Sequence, residues 1–149
     1  VNAGQTQILV PIDGSEYSTR ALDVAVDLAR ALGAELVIFH VVDLSRVAML
    51  SAGQAELIPV CLQELETEGR QIADDALHRV APGVQAMTRI ADGMPLDQIG
   101  RIAAEIRPGF IVMGSHGRSG VNRALMGSVA EGVARRSPVP VMIVPPSNV

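Results

Sequence analysis

Short apolar runs alternate with stretches of helical period along the whole chain, and this alternation limits the fold more than any other feature. Residues 7–12, 36–42, 84–90, 110–113 and 141–144 read as strands. Between them, apolar residues recur at three-and-four spacing, as in Ala21, Leu22, Ala25, Leu28, Ala29 and Leu32. A second set is Cys61, Leu62, Leu65, Ile72, Ala76 and Val80. A third is Leu96, Ile99, Ile102, Ala103 and Ile106, and a last helix starts at Ser128. Five strands alternating with four helices predict a parallel α/β sheet with helices on both faces. The run 36–42 is apolar apart from His40, as expected of a strand buried on both faces. Residues 84–90 alternate, with Arg89 on one side, and predict a half-exposed edge strand followed by a turn at 91–93.

Local signals set the boundaries. Pro11 belongs near the end of its strand, because proline cannot donate to a ladder. Ser15 is a predicted N-cap and Gly33 a helix-ending C′ residue. Pro95 suits a first helical position. Residues 43–54 lack a clean period and read as a loop; 57–80 read as one helix, with Gly69 bending or loosening it. Its acidic positions, among them Glu64, Glu66, Glu68, Asp74 and Asp75, form a solvated face. The 149 residues suit one domain, 1–149.

Composition excludes several functions. The net charge is −4, with no dense basic cluster, and the aromatics are Tyr17, Phe39 and Phe110 alone. Neither a phosphate-backbone groove nor a base-stacking platform can be built from this. One cysteine, Cys61, permits no internal disulfide and no multi-cysteine zinc site; it reads as a small buried hydrophobe. His40, His78 and His116 lack ligand spacing, so no dedicated metal site is expected. No apolar run approaches the roughly 18 residues of a membrane span. No secretion signal is visible, and a cytoplasmic protein is expected.

The chemistry concentrates after the fourth strand. Gly114, Gly117 and Gly127-Ser128 are separated by two and nine residues. Glycines let backbone N–H groups face a ligand, and a helix start adds unsatisfied amides and a positive dipole end. The spacing is neither a Walker loop, which requires a lysine this chain does not contain, nor a dinucleotide fingerprint. From glycines alone, a phosphate cradle and a plain connecting loop are both open. Arg118 and Arg123 can meet a polyphosphate bidentately or remain solvated. Ser128 and Glu131 have capping-box spacing, so Glu131 is expected to cap the Ser128 amide when no phosphate takes it. His116 reads as a loop residue.

With Ile8-Leu9-Val10-Pro11-Ile12-Asp13-Gly14-Ser15, Val41-Val42-Asp43, Gly93 and Pro95, Ile111-Val112-Met113-Gly114-Ser115-His116-Gly117-Arg118-Ser119-Gly120, and Gly127-Ser128-Val129, the chain resembles the universal stress proteins, in their ATP-binding branch. The tail from Ser137 to Val144 matches as well; only residues 45–71 carry no family motif. The resemblance implies a five-stranded parallel sheet of order 3-2-1-4-5, of the adenine nucleotide alpha-hydrolase-like kind, with Asp13 and Gly114 facing one crevice. It implies Pro11, Ile12 and Asp13 near adenine and ribose, Val41 offering backbone groups to the adenine edge, and Gly114, Gly117, Gly127, Ser128 and Val129 around the phosphates. The competing role for Asp13 is simply to start the turn at Asp13-Gly14-Ser15.

The implied ligand is ATP or another adenine nucleotide such as AMP, with any Mg²⁺ carried by phosphate oxygens. The implied partner is a second copy, bound through the edge strand Val141–Val144. Function then reads as a nucleotide-binding stress or signalling module. A slow ATP hydrolase is the alternative, lacking a clear base, and a nucleotide-free scaffold is a third.

Overall fold

Alternate residues of the central strands enter opposite helix layers, and this sorting builds the molecule. A computed structural model describes residues 6–118 and 125–147. The strands are β1 (Gln7–Ile12), β2 (Glu35–Asp43), β3 (Ala86–Gly93), β4 (Phe110–Gly114) and β5 (Val141–Val144). They form one parallel sheet in the order β3-β2-β1-β4-β5, as the alternation and the resemblance imply. Ile8, Val10 and Ile12 face the layer of α1 (Glu16–Leu32) and, after the short α2 (Leu44–Leu50), α3 (Ile58–Arg79). Leu9 faces the opposite layer of α4 (Pro95–Ile106) and α5 (Ser128–Arg136), together with Val37, Phe39, Ile111 and Met113. Both layers exclude water from apolar side chains, the dominant favourable term in folding.

The predicted caps of α1 form. Ser15 is extended and its side chain accepts from the Ser18 N–H at 3.2 Å; Gly33 takes the left-handed conformation at φ 64°. β3 is an edge strand, as expected, but its alternation of exposure breaks at Arg89 and Ile90, and Ile90 is exposed. It runs on through residues 91–93, read from sequence as a turn, because pairing continues to Asp43 opposite Gly93.

Residues 43–54 are not simply a loop. Asp43 caps α2, its Oδ1 accepting from the Ser45 N–H at 2.9 Å and the Ser45 hydroxyl at 2.7 Å. The helix buries only Val47 and so shows no period. Five α-helices are therefore described, with a 3-10 turn at Ala55–Leu57 before α3. Cys61 is half-buried against the small cluster of Val42, Val47 and Leu65.

α3 runs unbroken through Gly69. A Cβ there would lie 2.8 Å from Cδ2 of His40, so glycine lets the helix pass directly over the histidine ring. No described helix is long and apolar enough to cross a membrane.

Candidate functional site

The sheet splits where its strand order reverses. β1 pairs with β2 over six residues, up to Ile12 opposite His40, but with β4 only at Ile8 and Leu9. Beyond Leu9 the two strands diverge, and Pro11, which lacks an N–H, falls in this unpaired stretch. In open α/β sheets the crevice beyond the strand ends at such a point is where ligands bind. Pro11 and Ile12, at the end of β1, are buried.

Asp13 follows at the mouth. Its Oδ1 accepts from the Ser15 N–H at 3.0 Å, which is the turn role. Its Oδ2 accepts from the Arg118 N–H at 3.0 Å, across the crevice. The turn reading of Asp13 is therefore seen at one oxygen, while the other holds the start of the loop after β4. The Ser18 hydroxyl lies 3.3 Å from the Asp13 N–H, which donates to it.

Each described glycine of the loop motif is fixed by a close approach. At Gly114 a Cβ would meet the Tyr17 backbone at 2.8 Å, so this glycine admits α1 against β4. At Gly117 it would lie 2.7 Å from Asp13 Oδ2. At Gly127 it would approach the Ser115 carbonyl at 3.2 Å and His116 Cα at 3.3 Å. The Gly127 N–H donates to that same carbonyl at 2.8 Å, closing the base of the loop. The motif thus brings α1, the Asp13 carboxylate and the start of α5 onto one short segment.

His116 is buried beside Tyr17, with ring centroids 5.1 Å apart, and its Nδ1 lies 2.9 Å from the Ser115 hydroxyl. It is a packed loop residue, as its sequence context suggests.

The capping box does not form. Gly127, not Ser128, is the N-cap of α5, and no side chain caps the helix. Ser128 is thereby moved to the first helical position. Glu131 instead pairs with Arg135 one turn on, at 2.8 Å, and its own N–H donates to the Gly127 carbonyl. The proposed exchange of Glu131 for a phosphate at the Ser128 amide therefore loses its starting state. An α-helix gives its first amides no internal acceptor, so the Ser128 and Val129 N–H groups stand at the loop mouth.

Val41 is half-buried in the α4–α5 layer and pairs with Ala91. Its neighbour Asp43, one residue past Val42, reaches the same end of the sheet. Arg123 and Gly120 lie outside the described residues.

Three participants were not legible as site residues. Glu68 of α3 sits between two arginines, Oε1 at 2.6 Å from Arg118 and Oε2 at 3.1 Å from Arg46 of α2. Arg118 also donates from Nε to the Asp13 carbonyl at 2.6 Å. It is thus neither simply solvated nor available. Burial raises the Glu68 carboxyl's pKa, but hydrogen bonds and charge from Arg118 and Arg46 outweigh this and hold it below the ordinary value.

His40, third, is buried beneath the site with Nδ1 2.9 Å from the Ile12 carbonyl. Burial lowers its pKa, with Arg118 adding to that; the Ile12 bond and the Asp13 and Glu68 carboxylates work the other way and do not prevail. Gly69, adjacent to Glu68 in the sequence, was the one available signal that α3 comes close here.

A cleft of about 520 Å³ opens between α1 and α3, with Ile12, Gly14, Glu68 and Arg118 among its walls. A smaller hollow of about 170 Å³, between α4 and α5, touches none of the predicted site residues.

Fold and site together define an open parallel α/β protein whose loop glycines and first-strand aspartate meet at the topological switch point. The chain belongs to the universal stress protein family: the family model matches residues 5–145. It is 39% identical over 144 residues to the universal stress protein YxiE of Bacillus subtilis, covering 93% of this chain and 97% of that one. It is 36% identical to universal stress protein MJ0531 of Methanocaldococcus jannaschii, over 93% and 81% of the two chains. Among solved structures, universal stress protein UspA from Lactobacillus plantarum superimposes with TM-score 0.76 at 29% identity, covering 96% and 99%. A universal stress protein in complex with cAMP superimposes with TM-score 0.62 at 29% identity, covering 96% and 98%.

Proposed function

We propose that the protein is an adenine-nucleotide-binding stress-response module, with ATP as the leading ligand, whose occupancy is read by a partner or by a second copy. The observation that carries this reading is the approach of Gly117 to the Asp13 carboxylate across the split between β1 and β4. A ribose and a phosphate chain need an acceptor and a set of amides at one crevice, and this approach supports such a pairing. The relative in complex with cAMP supports adenine nucleotide as the class.

In this reading Asp13 accepts from ribose hydroxyls with the lone pairs its two present donors leave open. Pro11, Ile12 and the Val41 backbone border the adenine. Gly114 and Gly117 shape the loop, and the amides at Gly127, Ser128 and Val129 face phosphate oxygens with the favourable end of the α5 dipole. Arg118 supplies a cation once its present acceptors release it. Any Mg²⁺ would be carried mainly by phosphate oxygens.

The reading extends to one domain over 1–149, supported by the span of the family match, and to a cytoplasmic location, which a lone cysteine suits. It also includes a homodimer through β5. Among the described residues that strand has only β4 as a neighbour, and it exposes Met142; an apolar edge of this kind is normally covered.

The test is direct. Purified protein is denatured, the released small molecules are chromatographed, and refolded or emptied protein is titrated with ATP, AMP and cAMP in a calorimeter. Bound adenine nucleotide, or saturable binding weakened by Asp13→Ala, supports the reading. No released nucleotide and no heat with any of the three would end it.

A further inference from the structure

We propose that Glu68 is a built-in competitor for the anion bound at the glycine loop: in the free protein its carboxylate holds Arg118, and a nucleotide phosphate takes that guanidinium over and leaves Glu68 to Arg46. This deepens the nucleotide reading above and rests on it. The geometry has three parts. Arg118 follows Gly117 directly, at the point where the loop passes Asp13. Its guanidinium is already committed, Nε to the Asp13 carbonyl and one terminal nitrogen to Glu68, each at 2.6 Å. Glu68 has a second cation waiting, Arg46, on its other oxygen at 3.1 Å. Breaking one pair therefore does not strand the carboxylate. Each side chain of the network keeps about a third of its surface in solvent, so the exchange demands no buried, unpaired charge.

A phosphate is the anion suited to win. It presents more charge than a carboxylate and can accept two parallel N–H bonds from one guanidinium. Adenosine carries no such group and has nothing to displace Glu68 with. The competitor therefore lowers the affinity of ligands whose phosphates engage Arg118 and leaves that of adenosine untouched. It also carries information outward. The Arg118–Glu68 pair ties the loop after β4 to α3, and Arg46 ties α3 to α2, so ligand entry changes how the α2–α3 hairpin is held. That hairpin exposes Met49, Leu50, Ile58 and Val60.

A double-mutant cycle tests the idea. ATP and adenosine affinities are measured by calorimetry for the wild type, Glu68→Gln, Arg118→Gln and the double variant, with circular dichroism and melting curves confirming that each is folded. Arg118→Met, which removes the charge and keeps an unbranched side chain, serves if Arg118→Gln is unfolded. Competition predicts that Glu68→Gln tightens ATP binding about two- to fivefold, the range a half-exposed ion pair commands. That gain disappears in the variant lacking Arg118, and adenosine affinity does not change. An equal gain with and without Arg118 would mean simple charge repulsion and overturn the proposal. So would weaker ATP binding by Glu68→Gln, or an equal gain for adenosine. Wild-type protein that binds no adenine nucleotide would instead remove the nucleotide reading, and the competition with it.

Discussion

Gly117 passes Asp13 so closely that a Cβ on it would lie 2.7 Å from the aspartate Oδ2. Gly114, three residues earlier, faces the Tyr17 backbone at nearly the same distance, 2.8 Å. The neighbours differ in their freedom to move. The Asp13 carboxylate can rotate at the expense of its bond from the Arg118 N–H, whereas a helix backbone cannot rotate away.

Gly117→Ala is accordingly expected to fold and to lose about 1 kcal/mol, the scale of one hydrogen bond to a half-exposed charged group. Gly114→Ala is expected to lose more, about 2–3 kcal/mol, as an overpacked contact between α1 and β4. Urea denaturation of the two variants checks the order. Equal losses would show that the Asp13 contact is as rigid as the Tyr17 one.

Gly69→Ala sets helix propensity against packing. Alanine in a helix interior gains about 1 kcal/mol over glycine. Here its Cβ would lie 2.8 Å from the His40 ring, which the bond to Ile12 holds in place. The substitution is expected to destabilise by about 1–2 kcal/mol. In a His40→Ala background the same change should stabilise, because the obstacle is gone. The sign reversal, measured from four urea midpoints, is the finding to look for; one sign in both backgrounds would refute the contact.

His40 also sets a pH dependence. Its folded pKa lies below the ordinary 6.5. Below pH 6.5 the unfolded chain binds the proton first, so stability rises with pH there and is lost as pH falls toward and through the folded value. Arg118, Asp13 and Glu68 are the charges that face it. The wild-type urea midpoint should fall between pH 7.5 and 5.5 more steeply than that of His40→Asn. Parallel profiles would assign the acid sensitivity to other groups.

Two serines separate a working cap from a spacing that only resembles one. Ser15→Ala removes the bond from the Ser18 N–H and should cost about 1 kcal/mol. Ser128→Ala removes no cap and should change stability by less than about 0.5 kcal/mol. A large loss at Ser128 in the nucleotide-free protein would restore the capping box.

The alternation of apolar runs with helical period determined by itself the parallel α/β class, the edge position of β3 and the ends of α1. Each depends on which residues share a face or on chemistry within a few residues. The glycine spacing and the family resemblance also located the loop that meets Asp13. The short α2 escaped because it buries one residue, Val47, and one burial has no period. The turn read at 91–93 is strand because β2 continues beside it. The capping box failed because the Gly127 amide bonds the Ser115 carbonyl, which draws the helix start back by one residue.

Only the tertiary structure joined Glu68 and Arg46 to the site. They lie 50 and 72 positions before Arg118, Glu68 on a face that reads in sequence as solvated and Arg46 in a stretch that reads as a loop. The backbone crossovers bring α2 and α3 to the crevice edge. Whether an exposed acid on a helix meets a cation is decided by that docking, not by its neighbours in the chain.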